Sequence, residues 1–182
     1  FAAARGYRHI VLAGHSLGAN KVIHYLSRTR DLRVEHFLLL SPANVSWLAS
    51  QASAGERDCV KRMVERGESD KMLPFQLFGW IDCTAGTAWQ WLFTRTLDNV
   101  HPDADGDFAQ AERMTHSGAL VIGSLDRFAN SDPASFLQAF NSHMPTVAEN
   151  ILIVIPQTGH TYQCREQDVA ERILGLVCGW LR

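Results

Sequence analysis

The segment Gly14-His15-Ser16-Leu17-Gly18 has the form G-x-S-x-G, with a serine flanked at two residues' distance by glycines. A serine hydroxyl is a poor nucleophile until its backbone is held in a sharp turn and a base can take its proton. The neighbourhood of Ser16 suits such a turn. Arg8-His-Ile-Val-Leu-Ala13 is a short apolar run that reads as a strand. From Leu17 to about Arg30 a helix is predicted, with Val22, Ile23 and Leu26 on its inner side. A strained turn between the two lifts the hydroxyl clear of the sheet, and glycines on either side relieve crowding there. The positive end of the helix then favours an oxyanion forming beside the serine. The chemistry implied is nucleophilic attack by Ser16.

The elements that must position this serine follow in a regular order. Glu35–Leu40, Gly118–Gly123 and Asn150–Ile155 are further apolar runs, and the first two runs of the chain read as strands buried on both faces of a parallel sheet. Asp132 looks like an N-cap, with Pro133 at the first position of a helix reaching Phe140. Val169, Ile173, Val177 and Trp180 recur at helical spacing near the C-terminus. Alternation of strand and helix implies an α/β protein whose parallel strands are joined by right-handed crossovers. The stretch from Val45 to Thr115 interrupts that rhythm. It holds an amphipathic helix (Cys59, Val60, Met63, Val64) stopped by Gly67, the aromatic-rich Phe75–Phe93, and a polar loop from Asp98 to Asp107.

The bulk properties set bounds on function. The 182 residues, 46% hydrophobic and 20% charged, suit one domain with a buried core. Net charge is -2, and the densest basic stretch, Arg28–Arg33, contains Asp31 and reads as a solvated helix end. Neither nucleic acid nor an anionic lipid surface is an expected partner. No apolar run approaches the roughly 20 residues a membrane helix needs. Cys59, Cys83, Cys164 and Cys178 form no CxxC pair and have no zinc-type His spacing, so free buried thiols are expected and no metal site.

The elbow Gly-His-Ser-Leu-Gly, preceded by His-Ile-Val-Leu-Ala, resembles the α/β-hydrolase superfamily. The likeness covers nearly the whole chain but only the later part of that family's fold. It implies a partial α/β-hydrolase fold: a mostly parallel sheet of about four strands flanked by helices, with a helical cap inserted. Residues 1–44 and 116–182 would form the core and residues 45–115 the cap. The family's chain order of serine, acid, histidine directs attention to two loops. Asp126, in Gly123-Ser-Leu-Asp126 beyond the third strand, takes the place of the acid. Asp132 is the rival, but the proline after it favours a capping role. His160, in Thr158-Gly159-His160-Thr161 after the fourth strand, takes the place of the base. In that scheme His160 accepts the serine proton, Asp126 fixes its tautomer, and the backbone N–H of Leu17 donates to the oxyanion.

The cap would shape a pocket for substrate, with His15, Trp80, Trp89 and Trp91 as candidate contacts. Equally, the tryptophans could pack the inserted segment's own small core. The resemblance leads us to expect hydrolysis of small carboxylic esters with an apolar acyl or alcohol group, through an acyl-enzyme and without cofactor. A thioesterase, acyltransferase, carbon–carbon hydrolase or peptidase would use the same three residues. A binding protein that has lost turnover would be expected to lack one of them, and none is missing. Two departures stand out. Only fifteen residues precede Ser16, with no HGGG-type segment for a second oxyanion donor, and the chain opens at Phe1 without methionine. A fragment is expected, poorly active alone, with one edge of the elbow strand unpaired. Oligomeric state is left open, and the cytoplasm is no more than a default location.

Overall fold

The computed structural model of the chain describes residues 1–103 and 105–181. Four strands, β1 (Val11–His15), β2 (His36–Leu40), β3 (Ser117–Gly123) and β4 (Ile151–Ile155), form one sheet in the order β1-β2-β3-β4. Every neighbouring pair is parallel, with Gly14 opposite Leu39, Leu39 opposite Leu120, and Gly123 opposite Ile155.

The two faces of this sheet bury alternate residues. Phe37, Leu39, Leu120 and Ile122 pack with Ala19, Ile23 and Leu26 of α1 (Leu17–Thr29) and with Phe136, Leu137 and Phe140 of α5 (Pro133–Ser142). Leu38, Ala119 and Val121 face the other way, toward Val169 and Ile173 of α6 (Glu166–Trp180). Both sets are apolar, which is why β2 and β3 read as unbroken hydrophobic runs without polar alternation. The outer strands differ. In β1, Ala13 and His15 are exposed, and β4 is largely exposed or half-buried. The expectation that the first strand is buried on both faces therefore fails. Its apolar residues suit burial, but at the sheet margin it has a neighbour on one side only.

Local signals set the helix ends. The Asp132 carboxylate accepts from the Ser135 N–H at 2.8 Å, which holds its pKa below the usual carboxylate range. Pro133 fills the first turn, where its missing N–H costs nothing. Between β2 and β3 lie α2 (Val45–Ser50), α3 (Ala54–Glu65) and α4 (Ala85–Phe93). A reciprocal Ser53–Glu56 capping box opens α3, and Gly67, at φ 74°, follows its end. These helices surround an apolar cluster of their own, built on Val60, Leu73, Leu77, Ala85, Ala88 and Leu92.

Asn20 of α1 ties this segment to the sheet. Its Nδ2 lies within 3.0 Å of the Ala43 and Leu97 carbonyls and of Asn99 Oδ1, while its Oδ1 accepts from the Ala43 N–H. The Asn99 side chain donates back to the Asn20 carbonyl at 3.0 Å and to Gln110. Asn20→Ala should cost about 3 kcal/mol, measured by urea unfolding, because it strands several buried donors and acceptors. The stretch from Asp98 to Asp107 carries no helix or strand among its described residues, as expected of a loop. It is not a solvated loop, however, since Asp98, Asn99 and His101 are buried. Asp98 and Asn99 find protein partners instead, as in the 2.6 Å bond from the Ser46 hydroxyl to Asp98, whereas His101 Nε2 is buried without one among the described residues.

All four cysteines are free. Cys83 is buried, and desolvation pushes its thiol pKa up, whereas Cys164 and Cys178 are exposed, contrary to the expected burial. Among the described residues no helix is long and apolar enough to cross a membrane.

Candidate active site

Ser16 stands between β1 and α1 with φ 57° and ψ -129°, a conformation costly for any residue with a side chain. Two hydrogen bonds hold it: its N–H donates to the Leu40 carbonyl, and its own carbonyl accepts from the Ala19 N–H, both at 2.9 Å. The two glycines of the motif are not equivalent. A Cβ on Gly14 would lie 2.3 Å from the Gly18 carbonyl oxygen, so the first turn of α1 can close on the strand only if residue 14 is glycine. A Cβ on Gly18 would meet nothing within 4 Å. Crowding is relieved at one end of the elbow, not both.

The loops after β3 and β4 bring two further side chains to Ser16. His160 Nε2 lies 2.8 Å from Ser16 Oγ. Its Nδ1 lies 2.9 and 3.1 Å from the two carboxylate oxygens of Asp126, which is 2% exposed. A carboxylate only accepts, so Nδ1 carries the proton and Nε2 is left to accept from the serine hydroxyl. Asp126 Oδ1 also accepts from the Phe128 N–H at 3.0 Å, as cap of a short 3-10 turn, Arg127–Ala129. Leu17 is the first residue of α1, so its N–H is one of the helix's amino-terminal donors without an intrahelical acceptor.

The two loops are locked together. The Ser124 N–H donates to the Ile155 carbonyl and the Leu125 N–H to the Thr158 carbonyl, each at 2.8 Å. The Gln157 N–H returns to Ser124 Oγ at 2.9 Å. The contact is close enough that a Cβ on Gly123 would lie 2.4 Å from the Thr158 carbonyl oxygen.

His15, expected as a substrate contact, is committed elsewhere: its Nε2 lies 2.7 Å from the His160 carbonyl oxygen. Trp80 is 55% exposed and meets the Phe128 ring edge-on at 5.8 Å. Trp89 and Trp91 pack inside the inserted segment, against Phe93 and Phe78, as the alternative reading of that cluster held. Phe128 went unnoticed in the sequence. Its ring centroid is 4.4 Å from that of His160, and Trp47 packs on it from another side. Its signal was its place two residues beyond Asp126. A cavity of about 330 Å³ opens beside these groups, lined by Leu125, Arg127, Phe128, Gly159, His160 and Gln163 among others. Among the described residues no cluster of three or more His, Cys, Asp or Glu side chains is arranged to hold a metal ion.

A monoacylglycerol lipase from Paleococcus ferrophilus superposes on 98% of this chain with a TM-score of 0.60 and 16% identity, over 71% of its own length. The chain has the α/β-hydrolase fold. An esterase from Exiguobacterium antarcticum shares it at a TM-score of 0.56 and 14% identity, over the whole of this chain and 70% of the other. A carboxylesterase from Bacillus subtilis does so at 0.52 and 16% identity, covering 98% of this chain and 63% of its own. In terms of the α/β-hydrolase fold, the four strands are a part of the full sheet, consistent with this coverage. No protein-family model matches the sequence, and no curated protein matches it.

Proposed function

We propose that the protein is a serine hydrolase of small carboxylic esters, with Ser16 as nucleophile, His160 as base and Asp126 as the group that orients it. The observation that carries this reading is the continuous chain of hydrogen bonds from Ser16 Oγ through both ring nitrogens of His160 to a buried carboxylate. As Oγ attacks the ester carbonyl, its proton passes to His160 Nε2 and the carbonyl electron pair moves onto oxygen, toward the Leu17 N–H. Collapse of this adduct breaks the bond to the alcohol oxygen, which leaves with the proton held by Nε2. Water then repeats the sequence: it gives a proton to Nε2, attacks the acyl-serine, and regenerates the Ser16 hydroxyl as the acid departs. The esterases and lipase of like fold support ester chemistry, and the Phe128 ring beside His160 supports an apolar group on the substrate.

Residues 45–115 serve in this proposal as a cap, reaching the site through Trp47 and Trp80, which pack on Phe128. A panel of p-nitrophenyl esters of rising acyl length tests the reading. Hydrolysis that a fluorophosphonate abolishes is the expected result, and a folded protein that hydrolyses none of them contradicts it. Phe128→Ala should raise KM for the preferred chain length about tenfold, since removing a large half-buried ring beside the base forfeits about 1–3 kcal/mol of apolar contact.

A further inference from the structure

We propose that Tyr162 and His15 are positioning residues, a two-point brace that holds the His160 imidazole at bonding distance from Ser16. The proposal rests on the reading of His160 as the base. The loop after β4 needs a brace because its backbone is unfavourable on its own. Gln157, Tyr162 and Cys164 all adopt left-handed φ, at 58°, 56° and 62°, without being glycine. Such residues persist only where surrounding contacts fix them.

Tyr162 supplies one fixed point. Its side chain is 6% exposed and reaches under the sheet's carboxyl end, where its hydroxyl donates to the Val121 carbonyl at 3.0 Å and accepts from Ser41 Oγ at 2.9 Å. Ser41 is itself fully buried and left-handed, and its N–H donates to the same Val121 oxygen at 2.7 Å. The Tyr162 hydroxyl thus hooks the loop to the ends of both β2 and β3. The Tyr162 N–H donates to the Gly159 carbonyl at 3.2 Å, which ties the hook to the residue just before the base. Burial pushes the phenol pKa well above the usual tyrosine range, so the hydroxyl remains a donor at any pH where the protein works.

His15 supplies the other. It is the residue before Ser16, and its Nε2–H donates to the main-chain carbonyl of His160 itself at 2.7 Å. Nucleophile and base are therefore linked through a neighbour of the first, across 145 positions of sequence. The His15 ring stands 5.0 Å from that of His160 and 6.0 Å from that of Tyr162, so the two supports adjoin. Remove either, and the imidazole keeps its bond to Asp126 but gains freedom relative to Ser16 Oγ.

The test compares Tyr162→Phe, His15→Ala and His15→Gln with the wild-type protein. It reads kcat and KM on p-nitrophenyl butyrate, and hydrogen exchange of the amides from residue 157 to 165. Because a 1 Å misplacement of a reacting group costs about 100-fold, Tyr162→Phe and His15→Ala should lower kcat roughly 10- to 100-fold with KM changed by less than about twofold. Glutamine can present an amide N–H near the place of Nε2, so His15→Gln should recover most of the loss that alanine causes. In both deficient variants, exchange should quicken in the loop and not in α1. Unchanged kcat and unchanged loop exchange in folded variants overturn the brace. So does exchange that quickens throughout the protein, which marks a general loss of stability. His15 is exposed, so its variants answer even if Tyr162→Phe does not fold. If the folded wild-type protein hydrolyses no ester and takes no fluorophosphonate on Ser16, the hydrolase reading fails instead, while loop exchange still decides the brace.

Discussion

Replacing Ser16 by alanine is expected to lower ester turnover by about 10⁴- to 10⁶-fold, the range seen when a nucleophile acting in concert with its base is removed. The reaction as proposed passes through a covalent bond to Ser16 Oγ, and the structure offers that oxygen a base at 2.8 Å. His160→Ala should cost nearly as much, because an unassisted serine hydroxyl at neutral pH is almost wholly protonated and a poor attacking group. The double variant should be scarcely worse than either single one, since both changes disable the same step. Asp126→Asn should lose about 10⁴-fold, because an amide can donate to Nδ1 and so favour the wrong tautomer. The check is kcat/KM on one p-nitrophenyl ester across the four variants. Losses that simply multiply in the double variant would show that Ser16 and His160 act independently.

The second large effect is expected at a residue without a side chain. Gly123 ends β3, and a Cβ there would lie 2.4 Å from the Thr158 carbonyl oxygen and 2.5 Å from that of Gly159. Both obstacles are backbone, so they cannot swing aside, and Gly159 is the residue before His160. Gly123→Ala must therefore push the loop after β4 away from the loop that carries Asp126. A displacement near 1 Å at His160 corresponds to about a 100-fold loss in kcat. Overpacking of this kind also destabilises by about 1–3 kcal/mol. Gly18→Ala is the matched control. Its Cβ would enter open space in the first turn of α1, so melting and turnover should both stay close to wild type. Thermal melting and kcat, measured on both variants, separate the two glycines. A Gly123→Ala protein as active and stable as wild type would mean that the two loops are not so closely packed.

What could be read in the sequence was what depends on neighbours along the chain. The change from an apolar strand to a helical pattern at Ser16 placed the elbow, and Asp132-Pro133 placed a helix start, because each is a matter of a few consecutive residues. The four strands were legible because β2 and β3, buried on both faces, carry no polar alternation to disguise them. Asp126 and His160 drew attention only through the order that the resemblance implied. What escaped depends on contacts between distant segments. Tyr162 is one aromatic residue in a polar loop, and its anchoring to Ser41 spans 121 positions. Gly123 looks like the end of any strand until Thr158 and Gly159 are seen against it. Asn20 reads as a polar residue on a helix surface, yet it is wholly buried because the returning segment at Leu97–Asn99 supplies its partners. Trp89 and Trp91 show the converse: their composition fitted a pocket wall and a small core equally, and only the fold shows them packed in the core of their own segment.

In the proposed reaction the hydroxyl of residue 16 is made nucleophilic by the imidazole of residue 160. Treating the folded protein with a fluorophosphonate, digesting it and locating the adduct by mass spectrometry, alongside His160→Ala, tests this. A single modified peptide carrying Ser16, lost in the His160 variant, is the expected result. Modification at another serine, or equal labelling of Ser16 without His160, would contradict it.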